Sequence, residues 1–324
     1  MAGAGRDARA ASKARPTWRA RGRLTAVLAV LTAGAMMFHG AVPNSAGRVG
    51  SLVESFLPWL GLPVVALLAV ALLRRSAVAL AALLLPTAVW TYLFGGLLLP
   101  GGEPGPDDLL VVQHNVSDEN PDPAGTARAL AAAAPDLIAL QELVPPALAV
   151  YEEVLASAYP YHEVRGTVGL WSRHPLTDAG PLDIKPQGIA GPWSRGLRAV
   201  VRTPRGEIAA YVAHLPSVRV RATGLASASR DESAVLLGRA VARERTERVV
   251  LLGDLNGTAD DRGLAPLTSR LDTAERGFAF SFPAAFPVAR IDQVMTRSAT
   301  VRHLRTLPAT GSDHLPVAGR VTLR

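Results

Sequence analysis

The chain has 324 residues and no cysteine, with 49% hydrophobic residues and 34 lysines and arginines against 27 acidic residues, a formal net charge of +7. That length admits two domains, or one domain with a membrane region, and the lack of cysteine excludes disulfides, thiolate metal sites and a cysteine nucleophile. The charge belongs to the tail: residues 1–23 hold seven basic groups against Asp7, whereas 109–324 hold 24 basic and 22 acidic residues, too even a balance for a domain held to DNA by phosphate neutralisation.

Residues 1–23 read as a disordered, basic, Ala/Arg-rich tail. Three apolar runs follow. Leu24–Val42 is near the ~20 residues that cross a bilayer, Leu52–Leu73 is interrupted by Glu54, Pro58 and Pro63, and Ala77–Leu99 carries Trp90, Tyr92 and Phe94 toward its far end. The expectation is a three-span transmembrane region over 24–99, with His39 at the outer interface. A cleaved signal peptide is the alternative for the first run, which has a basic n-region and small residues near Ala46 but is long for an h-region. Seven basic residues in the tail and Arg74-Arg75 between the second and third runs, against Arg48 alone after the first, put tail and Arg74-Arg75 in the cytoplasm. Everything after residue 100 is then extracytoplasmic, on a multi-pass plasma-membrane protein. Residues 100–108, Pro-Gly-Gly-Glu-Pro-Gly-Pro-Asp-Asp, form a Pro/Gly linker ahead of a domain over 109–324.

Within that domain the patterning predicts strands at Leu109–Gln113, Leu137–Gln141, Val168–Ser172, Arg198–Thr203, Glu207–His214, Val249–Leu252, Arg290–Thr296 and Val317–Leu323. Helices are predicted at Thr126–Ala134, Tyr151–Ala158 and Asp231–Thr246, the last with Ser229 as its cap. Strands outnumber helices and often follow one another, which favours two packed sheets flanked by helices.

Polar groups cluster just after these apolar runs. Glu142 follows Leu137–Gln141, and a carboxylate at a strand end suits a hard cation such as Mg²⁺. Asp254 and Asn256 stand two apart on a Gly-containing turn, so both can face one cavity; an Asx turn accounts for the same pattern. Asp292 and His314 can form an imidazole–carboxylate pair, in which the carboxylate fixes the tautomer and favours the protonated ring. His214 ends a strand and offers a second imidazole, to protonate a leaving group or stabilise its charge. Asn115 taken alone is a turn residue, and His114 beside it is structural. Arg173, Arg195 and Arg198 are candidate phosphate contacts or ordinary surface charges.

Asn115, Gln141-Glu142, His214 in Ala-His-Leu-Pro, Gly253-Asp254-Leu255-Asn256, Ile291-Asp292 and Ser312-Asp313-His314 occur in an order that resembles the endonuclease/exonuclease/phosphatase superfamily over about residues 109–324. The resemblance implies an α/β fold, a four-layer α/β/β/α sandwich with its active site at one edge of the paired sheets, here preceded by three transmembrane helices. It implies Mg²⁺, with Mn²⁺ as the alternative, near Asn115, Glu142 and Asp313. Asp254 would orient or deprotonate the attacking water and Asn256 would steady the phosphate, beside His214, Asp292 and His314.

Deoxyribonuclease relatives often carry a basic residue two positions after the Glu, whereas this chain has Glu142-Leu143-Val144. With the near-neutral domain and the tether, that departure favours a membrane-anchored phosphohydrolase acting on a lipid-linked phosphate, phosphodiester or pyrophosphate. The layout resembles actinobacterial members of the teicoplanin-resistance type. An extracellular nuclease and a catalytically silent, membrane-tethered binding module are the alternatives.

Overall fold

The computed structural model describes residues 22–323 apart from 104, 106 and 107. Nearly all of the basic tail, and three positions of the Pro/Gly linker, therefore lie outside the described residues. Contacts divide the chain into two compact units, one containing Pro58–Tyr92 together with the chain up to Met37, the other Phe38–Leu57 together with the chain from Leu93 onward.

Four helices precede the first strand: α1 (Arg23–Met37), α2 (Val49–Ser55), α3 (Gly61–Leu73) and α4 (Ala77–Phe94). In the first unit α1, α3 and α4 bury Ala29, Ala71, Ala79 and Leu83 against one another and leave Leu31, Val65, Leu72 and Leu84 exposed. Small residues inside and large apolar ones outside invert the pattern of a water-soluble helical bundle.

The helix lengths differ from the three-span region expected. Among the described residues one helical stretch, Ala77–Leu98, is long and apolar enough to cross a membrane, and α2 with Leu57–Leu73 would make a second only as a pair bent by 77°. α1 has 15 residues, about 22 Å at 1.5 Å per residue against a hydrocarbon core of ~30 Å. The expected second run breaks at Phe56, because Pro58 has no N–H with which to continue the helix and because the Glu54 carboxylate is bound by Arg262 in the second unit. His39 lies beyond α1, in that same unit, beside Glu54.

The second unit is built on two sheets. The first has the order β12 (Ala299–Thr306), β13 (Val317–Leu323), β1 (Asp108–Asn115), β2 (Leu137–Gln141), β4 (Val168–Ser172), β3 (Tyr161–Arg165); the second has β11 (Asp292–Arg297), β10 (Val249–Asp254), β7 (Gly206–His214), β6 (Gly196–Thr203), β5 (Leu176–Pro181). A hairpin of β8 (Arg219–Arg221) and β9 (Gly224–Ala226) stands apart. Side chains alternate along each strand, and both faces of the central strands are covered. Leu137 and Ala139 of β2 and Val250 and Leu252 of β10 meet between the sheets. Ile138 and Leu140 pack under α5 (Pro123–Ala132) and α6 (Ala147–Leu155), and Val249 and Leu251 under α7 (Ala228–Arg243) and α8 (Ala265–Thr268). Two-sided burial is why β2, β4 and β10 read as unbroken apolar runs. The fold is a mixed α/β sandwich of two sheets with helices on both outer faces.

β2, β4 and β13 have the predicted ends. α7 begins earlier than expected, with Ser227 rather than Ser229 at its cap and no side-chain capping bond. β3, β5, β8, β9 and β12 had no clear signal, being short or polar at the sheet edges.

Glu244, at the C-cap of α7, fastens this helix to the second sheet. Its carboxylate accepts from Arg198 Nε at 2.9 Å and Nη2 at 3.1 Å, Tyr211 Oη at 2.8 Å and the Thr246 amide at 2.8 Å. Burial pushes this carboxyl up, and those hydrogen bonds outweigh it and hold the group at about 2. A depressed carboxyl contributes stability that is complete above the unfolded pKa of ~4.3 and is lost as pH falls through about 2. Glu244→Gln is expected to cost about 1–3 kcal/mol at neutral pH and to flatten the fall in stability below pH ~4.3, read from urea midpoints across that range.

Candidate active site

Strand register assembles the site. In the second sheet Asp254 pairs with His214 on one side and with Asp292 on the other, and in the first sheet Asn115 pairs with Gln141. The inward-facing positions of β1 run 109, 111, 113, 115, those of β7 end at 214 and those of β10 at 254. Period-2 alternation therefore puts Gln113, Asn115, Gln141, His214, Asp254 and Asp292 between the sheets at one edge. It sends His114 to the opposite face of β1, where its Nε2 meets Thr310 Oγ1 at 2.9 Å and burial depresses its pKa to about 3. His114 is structural, as expected.

The Asn115 amide ties the sheets together, donating to Glu142 Oε1 at 3.0 Å and Asp254 Oδ2 at 3.1 Å. Glu142, immediately after β2, has φ 63°, a left-handed conformation that is rare for a residue with a long side chain and concentrates at functional sites. Its carboxylate stays about 30% exposed and accepts the Asp118 amide at 3.2 Å.

Asp254 is fully buried and lies 3.6 Å from His214 Nε2 and 3.8 Å from His314 Nε2. Burial, with the His314 charge opposing it, raises its pKa to about 7. Gly253 before it is required by close approach, since a Cβ there would meet the Ala213 carbonyl oxygen at 2.0 Å. Asn256, at φ 48°, closes the turn, its amide N–H bonding Asp254 Oδ1 at 2.9 Å and its side-chain amide donating to the Leu215 carbonyl at 3.0 Å.

His314 Nδ1 donates to Asp292 Oδ2 at 2.8 Å. Burial opposes the ring's charge, but Asp292 and then Asp254 outweigh it and raise the pKa to about 10, so the pair is an imidazolium–carboxylate. Asp292 also accepts from Ser281 Oγ at 2.6 Å and from the Gln113 side-chain amide. The Phe282 ring lies 4.8 Å from that of His314, and Ser312 Oγ accepts the His314 amide at 3.0 Å while donating to the Asn115 carbonyl at 2.7 Å. His214 is the opposite case. It is buried, neither ring nitrogen has a hydrogen bond, and burial, then Arg195 and His314, hold its pKa at about 3. It is a neutral imidazole with donor and acceptor unspent.

The structure thus gathers Asn115, Glu142, His214, Asp254, Asn256, Asp292 and His314. Asp313 differs: it is exposed, and its backbone carbonyl accepts the Ala284 amide at 2.7 Å. Asp254, Asp292 and His314 place one ligand-capable atom each within 4.8 Å of one another, so this buried group could hold a metal ion; it is not the set expected from sequence. The His314 imidazolium, 3.8 Å from Asp254, does not offset the burial that raises this carboxyl, and a divalent ion beside Asp254 and Glu142 would add the missing positive charge. The residues fit such an ion.

Of the three candidate arginines, Arg195 remains beside the site through its carbonyl, which accepts the His214 amide at 2.9 Å. Arg198 is spent on Glu244 and Asp178. Arg173 stands at the other end of β2, its amide on the Asp136 carbonyl at 3.0 Å. Sequence reasoning missed Gln113 and Ser281. Gln113 carried a signal, a polar residue on the inward face of an apolar strand; Ser281 lies in a loop with none.

Residues 112–314 match the Endonuclease/Exonuclease/phosphatase family, and the chain belongs to it. In fold it is similar to an endonuclease/exonuclease/phosphatase from Beutenbergia cavernae, at 20% identity and a TM-score of 0.55 over 67% of this chain and 72% of that one. It is similar to D. rerio TDP2 complexed with a single-strand DNA product, at 18% identity and a TM-score of 0.55 over 66% and 98%. A mannosyl-6-phosphatase from Bacteroides thetaiotaomicron aligns at 17% identity and a TM-score of 0.54 over 66% and 99%. No curated protein matches the sequence. Phosphoester hydrolysis is the broad activity of this family, generally with a divalent metal.

Asp292→Asn removes the main charge that keeps His314 protonated. In metal-free wild-type protein the His314 imidazole should titrate near pH 10, and in the variant its midpoint should fall by at least ~1 unit, followed by NMR of the ring protons. Because the wild-type pKa is raised, the pair's stabilisation is complete below the unfolded His value of ~6.5 and is lost as pH rises through about 10. The variant's stability deficit should therefore be greatest in mildly acidic solution, just below the unfolded His value of ~6.5, and shrink as pH rises toward about 10.

Proposed function

We propose that this protein is a membrane-anchored, metal-dependent phosphohydrolase that cleaves a phosphate ester or pyrophosphate outside the cell, on a lipid-linked substrate. The observation that carries the hydrolase reading is the meeting of Asp254, His214 and the His314–Asp292 pair at one edge of the paired sheets. Asn115 and Glu142 would hold Mg²⁺, with Mn²⁺ the alternative, and Asp313 lies in the adjoining loop. Bound there, the cation supplies charge neutralisation at the phosphoryl oxygens and a lowered pKa for water.

The remaining steps belong to side chains. Asp254, poised near neutral pH, orients the attacking water and takes its proton. The His314 imidazolium, kept charged by Asp292, donates to an equatorial phosphoryl oxygen as negative charge builds there. Asn256 holds the turn that aims Asp254, and the second N–H of its side-chain amide, the first being donated to Leu215, steadies the phosphate. His214 is neutral, so it stabilises the departing oxygen by a hydrogen bond instead of delivering a proton.

The exposed leucines and valines of α1, α3 and α4, and the placement of basic residues at the tail and Arg74-Arg75, support an anchor with its catalytic unit outside the plasma membrane. Confinement to a membrane raises the effective concentration of a lipid-borne phosphate, which favours that class over DNA, together with the absence of a basic residue two positions after Glu142. The TDP2 likeness keeps DNA as the substrate to be tested against.

Full-length protein in detergent with Mg²⁺, offered polyprenyl pyrophosphate, phospholipid and plasmid DNA, is expected to release phosphate or headgroup and to leave DNA intact. Asp254→Ala should lower turnover by about 10²–10⁴-fold with the fold unchanged by circular dichroism. EDTA should abolish turnover reversibly. Cutting of DNA without lipid turnover would replace this reading by the nuclease, and full activity in Asp254→Ala would refute the mechanism.

A further inference from the structure

The segment between α1 and α3 belongs to the catalytic unit, and its polar groups lead to the active-site turn. Glu54 on α2 is only 2% exposed. Arg262 grips it with a two-pronged fork, Nε to Oε2 at 2.8 Å and Nη2 to Oε1 at 2.7 Å, and adds its own backbone amide to Oε2 at 3.0 Å. The same guanidinium donates to the carbonyls of Val42 at 2.9 Å and His39 at 3.1 Å, so one side chain of the sandwich closes the loop 39–54 upon itself. His39 Nδ1 completes the cluster at 3.2 Å from Glu54 Oε1.

A second contact runs parallel to the first. Arg48 bonds the carboxylate of Asp231 near the start of α7, and Ser227 Oγ at 3.1 Å; the Gly47 carbonyl accepts the Leu225 amide of β9 at 2.8 Å. Both contacts converge on Arg230, which is 1% exposed. It donates Nε to Asp231 Oδ1 at 2.8 Å, Nη2 to Asp261 Oδ2, and Nη1 to the carbonyl of Asn256 at 2.9 Å. Asp261 in turn caps the short turn that begins at Arg262, accepting the Gly263 amide at 2.8 Å. Gly257 must be glycine because the Arg230 guanidinium lies against it; a Cβ would meet Nη1 at 1.9 Å.

We propose that residues 38–57 are a positioning clamp for the catalytic turn 254–262, with Glu54, Arg262 and Arg230 as positioning residues. Asn256 sits at positive φ, a conformation that persists only when its surroundings over-determine it. Hydrogen bonds fix it from two sides. Its side chain is tied to Leu215 within the site, and its carbonyl is tied to Arg230, whose ionic partners reach the clamp. The side chain and the backbone amide of Arg262 share the buried Glu54 carboxylate as their acceptor, while the Arg262 side chain itself is 29% exposed; release at Glu54 therefore frees Arg262 at the end of the turn that aims Asp254. The clamp precedes the family match at 112–314 and is separated from Arg262 by 208 positions. The proposal rests on the phosphohydrolase reading for its effect on rate, but not for its effect on the turn.

The test uses full-length protein in detergent with Mg²⁺ and bis(p-nitrophenyl) phosphate, well below each variant's melting midpoint. In Glu54→Gln, kcat per folded molecule should fall by about 10–100-fold, the range for groups that orient a site without touching substrate, with KM within about 2-fold. Arg262→Lys keeps the charge and loses the fork, and should fall between wild type and Arg262→Gln. Hydrogen exchange of the backbone amides in 254–262 should quicken in Glu54→Gln while that of β2 is unchanged. If Glu54→Gln does not fold, Arg48→Gln and Arg262→Lys carry the same comparison. A variant that melts earlier but keeps wild-type kcat overturns the proposal, as does a loss of kcat with unchanged exchange at 254–262. If wild type hydrolyses no phosphoester at all, the functional reading fails separately, and the exchange of 254–262 alone supports or overturns the clamp.

Discussion

The site depends on holding two carboxylates and an imidazolium together out of water. Asp254, Asp292 and His314 are all buried, and an isolated charge at such a position would neutralise itself. What prevents this is the division of labour between the two acids. Asp292 takes hydrogen bonds from Gln113, Ser281 and His314 and forms the permanent ion pair. Asp254 has a side-chain amide, a backbone N–H and two imidazoles at longer range, and is left near neutral pH. Like groups thus stand in different surroundings, one paired with a cation and one held by longer contacts, the arrangement by which a site can assign different tasks to two carboxyls.

Everything else in the sandwich serves that arrangement. The pairing of Asp254 with His214 and Asp292 follows from the register of three strands, and register is strongly specified here because a slip by one residue would turn an entire apolar set outward. The hydrophobic layer between the sheets therefore aligns the polar edge. The same layer brings Asn115 of the first sheet into hydrogen-bonding distance of Asp254 in the second, so catalytic geometry and core packing cannot be separated. The second tie, through Arg230, Asp261 and Arg262, holds the turn that follows β10 at this edge.

The two imidazoles illustrate how position outweighs residue type. His314 faces Asp292 and is kept charged; His214 faces the same cavity from β7 without a hydrogen-bonded carboxylate and is kept neutral. From sequence both were strand-flanking histidines near acids, and a proton-donating role for His214 was a natural expectation. Burial without a tight anionic partner favours the neutral ring, and with it the other role expected of His214, stabilising a leaving group's charge.

Much of the framework was legible in the amino-acid order, because it rests on local physics. Continuous apolar runs mark strands buried on both faces, which is why β2 and β4 appear with the predicted ends, and the polar residues terminating such runs identified Glu142, His214 and Asp254. The same local reading predicted a membrane run from Leu52 to Leu73, since hydropathy averages over Glu54 and cannot see its partner. Only the tertiary structure could decide that Glu54 belongs to Arg262, 208 positions away, that Gln113 and Ser281 support Asp292, and that Asp313 turns outward while His314 turns in. Such pairings are set by the packing of distant elements, and a charge buried beside its counter-ion is indistinguishable, in a string of residues, from one left to water.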